Sequence, residues 1–115
     1  MITLVKRAVP GRSGIHGWGL MAREDIAAGE IIDETPIRTI QRVPAELYGH
    51  VFHDSDGRKH VPCGDAILTN NGMDYSNATA KLDLRHRMMT LVALRDIEAG
   101  DEITFDYDAN ARPGN

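Results

Sequence analysis

One nine-residue phrase occurs twice in this chain, and the repetition limits what the chain can fold into. Residues 22–30 read AREDIAAGE and residues 93–101 read ALRDIEAGD. Ala22, Asp25, Ile26, Ala28 and Gly29 recur as Ala93, Asp96, Ile97, Ala99 and Gly100. Each copy sets an apolar run, an Ala-Gly break and a second apolar run in series. That order predicts a strand, a tight connection and a returning strand, so each copy reads as a hairpin. The first copy follows the glycine-rich loop Gly14-Ile15-His16-Gly17-Trp18-Gly19. The second runs into Ile103-Thr104-Phe105-Asp106-Tyr107. Two hairpins of this kind can bring a glycine loop and a tyrosine together as the walls of one site.

The remainder of the chain is short segments. Residues 2–9 alternate loosely and read as a first strand, with Pro10 to Gly19 as loop. Leu20–Ala22 and Glu30–Glu34 read as the first hairpin, and Pro36–Val43 as extended. Pro44 to Tyr48 reads as one helical turn, since proline suits the first helical position. Asp54-Ser55-Asp56-Gly57 lies between His50–His53 and Arg58–Val61, a good hairpin signal. Ala66–Leu68 leads into a polar turn at Thr69-Asn70-Asn71-Gly72. Lys81–Leu84, Met88–Leu94 and Ile103–Phe105 read as strands, and 109–115 as a flexible tail. Many short strands without a long 3.6-residue period predict a mostly-β domain of several small sheets or a barrel.

Charge and composition exclude some functions. At 115 residues the chain is one domain. Its net charge of −4 leaves no basic excess to follow a phosphate backbone, so nucleic acid is not expected as a partner. No stretch approaches the roughly 20 apolar residues of a membrane span, and the N-terminus lacks the order of a signal peptide. With one cysteine, Cys63, there is no disulfide framework. A cytoplasmic or otherwise intracellular protein is expected, with Cys63 as a half-buried packing residue. Residues 96–108 carry six acids and no base. This run reads either as a rim that attracts a basic peptide or as a solvated edge. The spacing of His50, His53, His60 and Cys63 matches no standard zinc site, so no metal is assigned. On a hairpin, His53 and His60 could pair across the strands as part of a polar face.

The order of motifs carries a resemblance. Gly17-Trp18-Gly19-Leu20-Met21-Ala22, then D-I-x-A-G-E, then an asparagine-rich stretch ending at Asn77, then D-I-x-A-G-D-E-I-T-F-D-Y resembles the SET domain over about residues 12–108. That family comprises protein-lysine methyltransferases. The resemblance implies small curved sheets around a knot-like crossing, with residues 1–108 as the domain and 36–66 as its variable insert. It also implies methyl transfer from S-adenosylmethionine to a lysine side chain of a basic protein or peptide. By the same resemblance Gly17, Trp18 and Gly19 border the cofactor. Trp18 is then either a pocket wall or a core anchor.

The family asparagine falls on Asn70 or Asn71, depending on the direction of counting, and Gly72 lies within the same cofactor-binding stretch. The histidine of the family's Asn-His-Ser pattern is replaced, by Asn71 or by Gly72. Tyr107 takes the place of the catalytic tyrosine and also borders the cofactor. Phe105, two residues earlier on the expected strand, takes the product-tuning position. Tyr48 is the candidate channel aromatic of the insert. No cysteine follows Tyr107, so the chain resembles the minimal form of the family, whose substrate channel a second copy of the chain or the substrate itself would complete. A homodimer is accordingly expected. The alternative reading, motivated by the altered asparagine stretch, is a degenerate module that binds cofactor or a partner without catalysis.

Overall fold

The computed structural model describes residues 3–110, without the side chains at positions 48, 49, 109 and 110. Nine strands form two sheets. A four-stranded sheet has the order β1 (Ala8–Arg12), β2 (Trp18–Ala22), β9 (Glu102–Phe105), β6 (Asn70–Asn71). A five-stranded sheet has the order β4 (Phe52–His53), β5 (Lys59–Pro62), β3 (Ile31–Ile40), β8 (Met88–Ala93), β7 (Ala78–Asp83). Single 3-10 turns occupy Ala45–His50, Asp65–Leu68 and Met73–Tyr75, and a four-residue helix, α1, spans Tyr107–Asn110. None of the described helices is long and apolar enough to cross a membrane. The mostly-β architecture of small sheets and short helical turns is as the sequence predicts.

The duplicated phrase does something other than build hairpins. Each copy crosses between the sheets, the first from β2 to β3 and the second from β8 to β9. The two copies meet each other about an approximate twofold axis. Ile26 and Ile97 exchange both backbone hydrogen bonds at 2.8 Å. Asp25 Oδ1 accepts from Ala99 N at 2.9 Å, and Asp96 Oδ1 accepts from Ala28 N at 2.9 Å. Gly29 N donates to Ala93 O, and Gly100 N to Ala22 O. Every recurring residue thus has a task. Aspartate caps a free amide of the other copy, isoleucine is buried to within 2 % of its surface, and glycine supplies φ of +86° and +93°. The hairpin expectation fails because the returning strand of each copy finds its partners in the other sheet.

Two more boundaries move. Pro10 to Arg12 is strand, not loop, and β1 pairs with β2 from Ala8↔Ala22 to Arg12↔Trp18. The first hairpin is therefore β1–β2, closed by Ser13 N donating to Gly17 O, with Gly17 at φ +50°. The stretch Thr69–Gly72 is not a simple polar turn, since Asn70 and Asn71 form β6, parallel to β9. The hairpin β4–β5 and the turn at 45–50 agree with the sequence reading. The expected tail begins inside α1, and residues 111–115 lie outside the described residues.

The core lies between the sheets and the crossing links. Leu20, Ile26, Ile32, Met89, Leu91, Ile97, Ile103, Phe52 and Phe105 are each at most 2 % exposed. At roughly 1.5–3 kcal/mol per buried side chain of this size, they are the main attraction between the layers. Strand β9 lies between β2, to which it is antiparallel, and β6, to which it is parallel. The last strand is thus set between two earlier segments, and this places the C-terminal tyrosine beside the asparagines.

Candidate active site

The glycine loop is held from below by a carboxylate. Glu102, at the start of β9, accepts from Ser13 Oγ at 2.7 and 2.8 Å, from Gly14 N at 3.3 Å and from Asn70 Nδ2 at 2.9 Å. Ser13 Oγ in turn accepts from the amides of Ile15 and His16. Gly19 is buried against this network. A Cβ there would stand 2.5 Å from Glu102 Oε2 and 3.2 Å from Asn70 Nδ2, so only glycine lets the loop lie down. Trp18 is 54 % exposed, with the Arg12 guanidinium 4.6 Å from the ring. It is not a core anchor: it shares the Leu20 face of β2 but stands at the end of the strand, opposite Arg12 and beyond the covered core. Gly17 therefore presents an open backbone and Trp18 an exposed aromatic ring, while Gly19 seats the loop.

Asn70 joins this loop to the last strand. Its amide nitrogen lies within hydrogen-bonding distance of Ser13 Oγ, His16 O, Trp18 O and Glu102 Oε2, at 2.9 to 3.2 Å. Its Oδ1 has no protein partner among the described residues. Asn71 is used differently, since its Oδ1 accepts from the amides of Met73 and Tyr107, both at 3.1 Å. Gly72 N donates to Phe105 O at 3.0 Å. A Cβ on Gly72 would meet Thr104 Oγ1 at 2.5 Å and Ser76 Oγ at 2.6 Å, so a glycine is required where the two segments touch. Asn77 completes the clamp. Its Nδ2 donates to Glu102 O at 2.8 Å, and its Oδ1 accepts from Thr104 N at 2.9 Å.

Tyr107 stands where these pieces meet. It opens α1 rather than continuing β9, so it does not share a strand face with Phe105. The two rings still touch edge to face, with centroids 5.2 Å apart, and Phe105 meets Phe52 at 5.7 Å. Phe105 is 1 % exposed. The Tyr107 hydroxyl donates to Thr69 O at 2.8 Å. Burial, and then the Glu102 charge, pushes the phenol up to about 12. Tyr107 is therefore a neutral, oriented phenol at ordinary pH, and not a phenolate base.

The ring seen against Tyr107 from the 45–50 turn is His50, with centroids 5.4 Å apart. Burial holds its imidazole below the usual histidine range, which keeps it neutral. The Tyr48 side chain lies outside the described residues. His50 was passed over because its place in a short 3-10 turn, beside Tyr107, is a tertiary fact. Ser13, Glu102 and Asn77 were passed over because each reads locally as loop or charge run. Their signal was positional, as Glu102 lies within one of the motifs that carry the resemblance and Asn77 ends another.

The remaining histidines and the cysteine serve other ends. His60 is opposite Phe52, and His53 is opposite Lys59, so His53 and His60 do not pair across the strands. His60 Nε2 donates to the buried Asp54 carboxylate at 3.0 Å, and His60 Nδ1 contacts Thr39 Oγ1 at 3.0 Å. Asp54 also accepts from the amides of Asp56 and Arg58 and from Arg58 Nε. The His60 bond and these donors hold its carboxyl well below the usual carboxylate range. Cys63 is exposed rather than half-buried, because it follows β5 at its open end. Several of the acids counted as a rim are structural. Asp96 and Asp101 cap amides in the crossing links, and Glu102 turns inward.

Comparison with known proteins agrees with this arrangement. The family model described as the SET domain matches residues 17–108. A histone-lysine N-methyltransferase of Candida albicans, described as H3 lysine-4 specific, is 33% identical over 90% of the chain. The chain spans 12% of that relative's length. The solved structure of a candidate histone methyltransferase from Plasmodium falciparum superposes with TM-score 0.74 at 27% identity, covering 89% of this chain and 93% of that one. Polycomb Repressive Complex 2 of Chaetomium thermophilum, solved bound to S-adenosylmethionine, superposes with TM-score 0.71 at 25% identity over 93% of this chain and 16% of that one. With the glycine loop, the asparagine clamp and the terminal tyrosine assembled by one crossing, this chain belongs to the SET-domain family.

Proposed function

We propose that this chain transfers a methyl group from S-adenosylmethionine to the side-chain amine of a lysine in a basic protein. The observation that carries the reading is the environment of Tyr107, whose hydroxyl is fixed on Thr69 O beside the face formed by Gly17–Gly19 and Asn70. The residues present fit the cofactor. Asn70 has its amide nitrogen tied to the protein and its Oδ1 left as an acceptor, which suits the ammonium of the methionine portion. The open backbone at Gly17 and the exposed face of Trp18 give the rest of the molecule a flat, uncrowded border.

S-adenosylmethionine, when bound, supplies an electrophilic methyl on a positively charged sulfur. The lysine must arrive with a free electron pair, although its ordinary pKa is about 10.4. The apolar and aromatic surroundings of Tyr107, made by Phe105 and the neutral His50, disfavour the ammonium form. Because the phenol hydrogen is committed to Thr69 O, its oxygen lone pairs face outward and accept from the amine. Tyr107 therefore aims the amine rather than deprotonating it, and alignment is the main source of acceleration. The acidic residues at the surface of 96–108 favour a basic substrate segment. We further propose an intracellular location, where an exposed free thiol such as Cys63 stays reduced. A homodimer formed through an edge strand belongs to the same reading and would appear as a doubled mass in solution.

The test is a labelled-methyl assay on a panel of basic proteins with the wild-type chain and Tyr107→Phe. Loss of one orienting hydrogen bond is expected to lower transfer by about 100-fold, with cofactor affinity unchanged. Wild-type chain that binds cofactor and transfers nothing would instead leave a binding module of the same fold.

A further inference from the structure

A second concave site is lined by residues on both sides of the 45–50 turn in sequence. A cleft of about 540 Å³ is lined by Gln41, Arg42, Val43, Val51, His53 and Lys59. That volume falls within the range of ligand-sized pockets. Its chemistry is one-sided, since the lining has two cations, two amide or imidazole groups, an apolar floor of two valines and no carboxylate. Neither Arg42 nor Lys59 forms an ion pair among the described residues. The two carboxylates of this hairpin are engaged elsewhere, Asp54 buried and bonded to Arg58 and His60, and Asp56 paired with Arg58. His53 Nδ1 is closed to solvent and has no hydrogen-bond partner. An unpaired buried nitrogen is costly, and this one belongs to a side chain that lines the cleft.

The cleft is tied to the reaction site by the chain itself. Val51 lines the cleft, and the preceding residue, His50, packs on Tyr107. The His50 ring stands 5.4 Å from that of Tyr107 and Val51 is one Cα step, about 3.8 Å, further on, a path that an extended peptide at about 3.3 Å per residue covers in about two to four residues.

We propose that this cleft is a specificity subsite for an anionic side chain, a carboxylate or a phosphate, carried by the substrate protein about two to four residues from the target lysine. Arg42 and Lys59 supply the opposite charge, Gln41 supplies a neutral donor, and the valines cover the methylene stem. This inference rests on the lysine-methylation reading for its spacing, but the binding site stands on its own geometry. The substrate segment is then not uniformly basic. It carries a lysine for Tyr107 and an acid for the cleft.

Fluorescence anisotropy with the full chain tests it without a methyl donor. Two labelled peptides would share a target lysine and differ by Glu or Gln three residues away. The Glu peptide is expected to bind about tenfold tighter, a preference that Arg42→Gln with Lys59→Gln removes and Lys59→Glu reverses. Amide shifts in a nitrogen-15 spectrum should fall on Val51, His53 and Lys59. Equal affinity for both peptides, or a preference that survives the double variant, would overturn the subsite. Displacement of the Glu peptide by millimolar inorganic phosphate, with no gain from joining acid and lysine in one peptide, would overturn its assignment to the substrate. Methyl transfer that ignores the acid would overturn this inference alone. Discrimination by binding without any transfer would overturn the methyltransferase reading alone.

Discussion

The two copies of the repeated phrase begin alike and end unlike. Between Ala22 and Glu30, and again between Ala93 and Asp101, the same residue types make the same hydrogen bonds, each copy to the other. Outside those bounds the symmetry stops. Toward its N-terminal side the first copy extends into β2 and the glycine loop, a backbone-rich surface with little side-chain cover. The second extends on its C-terminal side into β9 and Tyr107, a packed aromatic cluster. A symmetrical frame thus holds an asymmetrical site, with an open wall for one ligand and an aromatic wall for another. The lesson is that the repeat fixes where the walls stand, while the residues beyond it fix what they do.

The sharpest way to break this comparison is at the point where the walls touch. Gly72→Ala places a Cβ into Thr104 and Ser76, atoms of packed segments that cannot both withdraw. A loss of about 3 kcal/mol or more is expected, measured by urea unfolding, with separation of β6 from β9. Gly29→Ala and Gly100→Ala test the frame itself. Neither new Cβ meets anything within 4 Å, so only the positive φ resists, at about 1–2 kcal/mol each. The account requires the two values to agree closely. A large inequality would show that the twofold relation is one of shape and not of energy.

Smaller changes sharpen the same point. Asp25→Ala and Asp96→Ala each remove the acceptor of one amide on the opposite copy, at about 1 kcal/mol. The double variant should be additive within a few tenths of a kcal/mol, since the aspartates share no partner. The pH dependence separates the site from the β4–β5 hairpin. Asp54 has a folded pKa below its ordinary value, so its contribution is present above about pH 4 and lost as the pH falls. Asp54→Asn should flatten that part of the acid unfolding curve. Tyr107 has a raised pKa, so its contribution is present below about pH 10 and is lost as the pH rises toward about 12. The phenolate absorbance missing from Tyr107→Phe should therefore be the part that titrates near pH 12. A Tyr107 titrating near pH 10 would contradict the burial that the reading requires.

Much of this was legible in the chain. The alternation around the Asp-Gly step gave β4–β5, because turn chemistry is local. The duplicated aspartate, isoleucine and glycine marked two equivalent connections between strands, although they read as hairpins rather than as crossings between sheets. The pairing of the copies with each other was not legible, because a period-2 pattern shows which face is buried and not which strand lies alongside. The same limit hid β6. Asn70 and Asn71 look like turn residues, and only contact with β9 makes them a strand. Trp18 was ambiguous for a related reason, as its neighbours on both sides are glycines without a face of their own. His50 was hidden for the same reason, since its contact with Tyr107 is tertiary.

The central claim is that the glycine loop and Asn70 form a binding wall for a methyl donor. It is tested most directly by calorimetric titration of the chain with S-adenosylmethionine, for wild type and for Asn70→Ala shown to be folded by its circular dichroism. The account predicts micromolar binding to wild type and a loss of about tenfold or more in the variant. No heat of binding to wild type at millimolar ligand, or equal affinity in the two proteins, would contradict it.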